Sequence, residues 1–147
     1  MRVHHSETAV RTAGAVRAHD VTAAVRDAVL ASGVREGLVL VSVPHATCAL
    51  YVNEDEAGLR SDVERLAREL LEPLGRGGGF AHDRIDDNAR AHLMATLLSH
   101  QATLPVGGGE PLLGTWQSVF LLEMDGPRTR TLRVHVLGEL ARRLRRR

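Results

Sequence analysis

The sequence predicts an α+β fold: one compact domain of antiparallel β-sheets with packed helices. Three observations carry that expectation. Strand-like and helix-like segments run through 147 residues without a regular βαβα alternation, which argues against a doubly wound parallel sheet. Leu38-Val39-Leu40-Val41-Ser42-Val43 is almost continuously apolar, as a central strand covered on both faces would be. Near the end, two strand-like runs, 115–124 and 129–137, flank Asp125-Gly126-Pro127, a turn signal.

The other elements follow in order. Residues 2–11 alternate loosely and read as a strand, and Gly14 marks a turn. Asp20 is placed to cap a helix over 21–32 whose stripe is Val21, Ala24, Val25, Ala28 and Val29, with Gly33 as its stop. After Pro44, Ala46–Val52 resumes as strand. Its alternation puts His45, Thr47, Tyr51 and Asn53 on one side and Ala46, Cys48, Leu50 and Val52 on the core side. Glu54–Glu56 opens a helix of about four turns with Leu59, Val63, Leu66 and Leu70 at helical spacing. Pro73 and the glycine-rich stretch 75–79 end it; no strand leads into those glycines, so they are not a dinucleotide fingerprint. A helix over 87–98 points Leu93 and Leu97 at the core and sets Asn88 and His92 on one face. A strand near 102–106 and a turn at Gly107–Gly109 complete the list.

Composition narrows the function. Apolar residues make up 44% and charged residues 25%, ordinary for a globular chain, while aromatics at 3% leave core filling to Val, Leu and Ala. The net charge of +1 gives no general drive toward nucleic acid. Every basic side chain of the Lys/Arg type is Arg, which excludes Schiff-base lysine chemistry and a P-loop. The single cysteine, Cys48, excludes an intrachain disulfide and reads as a small core residue. No apolar run reaches membrane-span length and the first residues lack the apolar stretch of a signal peptide, so a cytoplasmic protein with no membrane partner is expected. Residues 1–141 are read as one domain and 142–147 as a solvated basic tail.

The chemistry-bearing residues admit alternatives. His45, His82 and His92 each have a polar neighbour at useful spacing, and three imidazoles are a fit donor set for zinc or a related ion. No compact motif such as HExxH ties them, so unrelated surface or core histidines is the competing reading, and spacing alone favours it. Thr115, Gln117 and Glu123 share one side of the penultimate strand. Glu123 is a candidate base, a support for a metal ligand, or the ion-pair partner of Arg128, the last being commonest. Gln117 offers a neutral hydrogen bond to substrate or a strand-end contact. Arg128 and Arg130, two apart, form either a phosphate clamp or solubilising surface. Asn53 and Asn88 are each a helix cap or an orienting and binding group.

The segments PHATCALYVNEDEAGL (44–59), His82-Asp83, NARAHL (88–93) and LGTWQSVFLLEMDGPRTRTLRVHVLGE (113–139) together resemble the YjbQ-like family, also called the secondary thiamine-phosphate synthase family. The resemblance spans about Val3 to Glu139; LGTWQ followed by E-x-DGPR is its most specific part. It implies a homotrimer and a pocket with a divalent metal, usually zinc, bound by His45, His82 and His92. It also implies an enzyme joining an aminopyrimidine diphosphate to a thiazole phosphate with release of pyrophosphate. On that reading Glu123, Asn53 and Gln117 are candidate catalytic residues, and Arg128, Arg130, Thr115 and Asn88 candidate contacts to a small phosphorylated substrate. A metal-dependent hydrolase of a small phosphorylated or acyl substrate, and a non-catalytic metal- or ligand-binding protein, are the alternatives. His4, His5, His19, His100 and His135 match no motif and read as solvated or structural. The family's usual glycine after the helix carrying His92 is replaced around Ser99-His100.

Overall fold

The structure is a computed structural model that describes residues 1–75 and 79–140. The basic tail and the middle of the glycine-rich stretch lie outside the described residues. Among the described residues, eight strands form two sheets. The larger has the order β1-β8-β3-β5-β6 and the smaller β2-β7-β4. The larger is built from β1 (Arg2–Arg11), β8 (Thr129–Leu140), β3 (Val34–Ser42), β5 (Gln101–Gly107) and β6 (Glu110–Pro111). The smaller is built from β2 (Arg17–Asp20), β7 (Gln117–Glu123) and β4 (Cys48–Glu54). All pairings are antiparallel, as expected for α+β.

Periodicity explains the layering. On β8, Leu132, Val134 and Val136 point inward, while Arg133, His135 and Leu137 point out. Their inward face meets Val39 and Val41 of β3, Val25 and Val29 of α1 (Thr22–Ser32), and Leu50, Val119 and Leu121 of the smaller sheet. The opposite face of the smaller sheet, with Ala49, Phe120 and Leu122, packs on Ala67 and Leu71 from α2 (Ala57–Glu69) and its end. It also packs on Ala91 and Met94 of α3 (Ala89–Leu97). β4 and β7 are thus the strands covered on both faces, and their side chains are apolar in both phases of the alternation. α1 starts where Asp20 Oδ1 accepts the Thr22 N–H at 2.8 Å and stops where Gly33 adopts φ +70°.

Several expectations are corrected. The apolar run 38–43 is covered on one face rather than two: β3 turns Val39 and Val41 inward and leaves Leu38 49% exposed, because among the described residues no layer packs on the outer face of the larger sheet. β4 begins at Cys48, so His45 and Thr47 stand in the loop before it, and its second face is core rather than solvent. β2 was not expected: four residues are too short for a pattern, and pairing with β7 creates the strand. Leu93 and Leu97 do not reach the core. α3 buries Ala89, Ala91 and Met94 instead, because small side chains let the helix approach the sheet closely. The leucine stripe of α2 likewise faces out, with Leu66 53% exposed, while Ala67 is its buried residue. The turn between β7 and β8 does not close a hairpin: it carries the chain from one sheet to the other.

Candidate functional site

Crossing between sheets brings Glu123, the last residue of β7, against Arg130 on the inward face of β8. Both are buried, at 0% and 5% exposure. Arg130 Nε donates to Glu123 Oε2 at 2.7 Å, and its Nη2 donates to Oε1. The Thr12 hydroxyl donates to Oε2 at 2.8 Å, and the Met124 and Asp125 N–H groups donate to Oε1 at 3.0 and 2.9 Å. Burial alone raises this carboxyl, but the donors from Arg130, Asp125 and Thr12 outweigh it and hold Glu123 below the ordinary glutamate value. Glu123 is therefore ionised, saturated and out of reach of a substrate. This corrects the readings of Glu123 as a base and as the partner of Arg128, and of Arg130 as a phosphate clamp. The partner of Arg128 is Asp125, at 2.7 Å.

The buried pair braces the loop that carries His45. Arg130 Nη2 also donates to Thr47 Oγ1 at 2.9 Å, and the Met124 N–H donates to the Thr47 carbonyl at 3.2 Å. The Thr131 N–H donates to His45 Nε2 at 2.8 Å. An accepting Nε2 leaves the proton of the neutral ring on Nδ1. Burial, reinforced by the Arg130 charge, lowers the His45 pKa and so favours that neutral form. Burial raises the neighbouring Cys48 to about 11, so its sulfur is a thiol and a core atom, as expected.

His82 and His92 arrive from the other side. His82 sits in a 3-10 turn, Ala81–Arg84, which Asp83 ties to α3 by accepting the Ala89 N–H at 3.1 Å. The His82 and His92 rings meet edge to face with centroids 4.7 Å apart. Asn88 Nδ2 donates to Asp125 Oδ2 at 3.1 Å, the oxygen that also receives Arg128 Nη2. This pins the start of α3 to the β7–β8 turn. Asn88 thus makes no side-chain helix cap, and its buried Oδ1 has no hydrogen-bond partner among the described residues. His92 then faces His45 across an open cleft of about 260 Å³ lined also by Ala46, Ala95, Thr96 and His100.

The remaining candidates lie elsewhere on the chain. Cys48 pairs with Glu123 and Glu54 with Gln117, so Asn53 and Gln117 sit at the far end of the smaller sheet, roughly 20 Å from the His45 end at strand rise. Thr115 is in the turn before β7 and is exposed. Asn53 Oδ1 accepts the Glu54 N–H, and Gln117 Oε1 accepts the Gly114 N–H at 2.8 Å. Within one chain these three residues do not join the histidines.

Among the described residues no three His, Cys, Asp or Glu side chains stand close enough together to hold a metal ion. His82 and His92 are adjacent and fit as a donor pair, whereas the Nε2 of His45 is already engaged by Thr131. Of the three histidines expected as ligands, His82 pairs with His92, and His92 shares a cleft with His45. His100 was read as unrelated, yet it lines that cleft. Its backbone is fixed by Leu50 N–H on the Ser99 carbonyl at 2.7 Å and Val43 N–H on the His100 carbonyl at 2.9 Å. The one sequence signal was the departure from the expected glycine. Thr12 gave no signal and Thr47 stood out only as a neighbour of His45, because only packing shows what their hydroxyls reach.

Comparison with known proteins sets this geometry in context. A family model described as UPF0047 protein YjbQ-like matches residues 6–139. A UPF0047 protein of Archaeoglobus fulgidus is 46% identical over 89% of this chain and 99% of its own length. Another, from Methanothermobacter thermautotrophicus, is 40% identical over 95% of each chain. Among solved structures, a YbjQ-like protein of unknown function from Sulfolobus solfataricus P2 is 40% identical with a TM-score of 0.88, covering 94% of this chain and 99% of that one. A hypothetical protein from Aeropyrum pernix K1 is 41% identical with a TM-score of 0.86, covering 92% and 98%.

Proposed function

Because the chain belongs to the UPF0047 YjbQ-like family, we propose that it is a metal-dependent enzyme acting on a small phosphorylated substrate at the histidine cleft. The leading reaction is thiamine-phosphate synthase-like. The thiazole nitrogen bonds to the methylene carbon of the aminopyrimidine diphosphate, whose carbon–oxygen bond breaks, and pyrophosphate leaves with the electron pair. The observation that carries the reading is the edge-to-face His82–His92 pair beside a cleft shared by His92, His45 and His100.

His82 and His92 are the residues that would hold the ion. A bound divalent cation would supply Lewis-acid polarisation of phosphoryl oxygens. His45, neutral and anchored through Nε2, presents an Nδ1–H donor toward an anionic substrate; to become a third ligand its ring must leave Thr131. His100 adds a further imidazole to the lining of that cleft. The buried Glu123–Arg130 pair positions the His45 loop. The reading includes a cytoplasmic homotrimer. Apolar side chains left exposed on α2 and at its C-cap, Leu66 and Leu70 among them, support self-association. Among the described residues, no helix is long and apolar enough to cross a membrane.

The test is zinc content together with product analysis. His82→Ala and His92→Ala should lose bound zinc, and pyrophosphate should appear only when both precursors are present. Phosphate release from a single precursor would favour hydrolysis. Metal binding without turnover would leave a binding protein. Full zinc content in His45→Ala, His82→Ala and His92→Ala alike would remove the metal from the proposal.

A further inference from the structure

We propose that His5 and His135 form a second metal site: a two-imidazole chelate for a borderline transition-metal ion, Cu(II), Ni(II) or Zn(II), on the outer face of the larger sheet. It shares no residue with the histidine cleft and does not depend on the reading of that cleft.

The register makes the pair. His5 of β1 stands directly opposite His135 of β8, and both residues face outward and are exposed. Their rings are nearly parallel, 19° apart in plane, with centroids at 5.7 Å. Directly opposed Cβ atoms on antiparallel strands are about 4.5–5.5 Å apart. Metal–nitrogen bonds near 2.0–2.1 Å bridge donor nitrogens up to about 4 Å from one another. Exposed imidazoles on such a base reach that separation by side-chain rotation, without backbone movement. Two strands fixed in a sheet hold the second ligand close once the first has bound, which is the source of the chelate's advantage over single surface histidines.

The surroundings suit a cation with open positions. The same cross-sheet row continues through Leu40 and Thr103, and the row beyond it is Val3, Leu137, Leu38 and Pro105. His135, Leu40, Val3, Leu38 and Leu137 line one shallow apolar depression of about 460 Å³. On the other side the charged groups are Glu7 and Arg133, which pair with each other at 2.6 Å. Their charges largely cancel, and Glu7 is already committed. Each imidazole binds the ion through a deprotonated nitrogen, so protons compete with the metal. A bound ion would tie β1, an edge strand from the start of the chain, to the last strand.

Titration of the full-length chain with nickel(II) chloride at pH 7.5 tests the site, followed by calorimetry and by thermal melting. His5→Gln and His135→Gln should each lose one nickel per chain, or bind it on the order of a hundredfold more weakly. His92→Gln should keep that nickel, and nickel should raise its melting temperature but not that of His92→Gln/His135→Gln. Neither side chain is buried, so folding survives substitution, and circular dichroism checks it; His135→Asn is a second variant. Wild-type nickel stoichiometry and affinity in His5→Gln or His135→Gln would overturn the proposal. So would loss of the same ion in His92→Gln. The outcome leaves the zinc result for His82 and His92 untouched, so either site can fail alone.

Discussion

Glu123 shows how burial assigns a role to a side chain. An acidic residue on a strand near two arginines reads from sequence as a surface ion pair or a base. Inside the fold it accepts from one guanidinium, one hydroxyl and two backbone N–H groups. Glu123→Gln should cost about 3–5 kcal/mol, because it leaves the Arg130 charge buried and unpaired; urea unfolding measures it. The folded-state pKa of Glu123 lies below its unfolded value near 4.5. Its contribution is therefore complete above about pH 4.5 and is lost as pH falls through the lower folded value. The wild-type chain should lose stability over that acidic window more steeply than Glu123→Gln does. His45 shows the same sign at higher pH. Its folded pKa is below 6.5, so its neutral form contributes fully above pH 6.5 and the contribution fades as pH falls. His45→Gln should flatten the stability profile there; equal slopes in both proteins would refute the assignment.

Between elements, the decisive feature is the turn from β7 to β8. A Cβ added at Gly126 would stand 2.5 Å from the Gly14 carbonyl oxygen and 2.6 Å from Glu123 Cγ. Gly126→Ala should thus destabilise by about 2–3 kcal/mol through overpacking, and should disturb the His45 loop through Glu123 and Arg130. Unfolding midpoints and the His45 ring proton shifts read the two effects together. Strands with a continuous apolar run, and the helix between Asp20 and Gly33, were legible because their signals are local. The inward face of α2 was not. Its leucines give the strongest helical stripe, yet Ala67 and Leu71 make the contact, since the cost of close approach depends on the neighbouring sheet rather than on the stripe.

For the whole molecule, the exposed stripe of α2 leads to a prediction about assembly. Sedimentation should give three copies of the 16.0 kDa chain. Leu66→Gln/Leu70→Gln should then give monomers, because both leucines lie on that exposed stripe. A monomeric wild-type chain would remove the trimer from the proposed function.

The sequence by itself determined the α+β class, most element positions, the family resemblance and the buried thiol of Cys48. Those depend on short-range periodicity, turn chemistry and motif, which neighbouring residues carry. Only the tertiary structure decided that Glu123 pairs with Arg130, that Asn53 and Gln117 lie at the opposite end from the histidines, and that His100 shares their cleft. It also set His5 across from His135. Each of these depends on which strands become neighbours and in what register, and that is fixed by burying two apolar cores at once rather than by any local pattern.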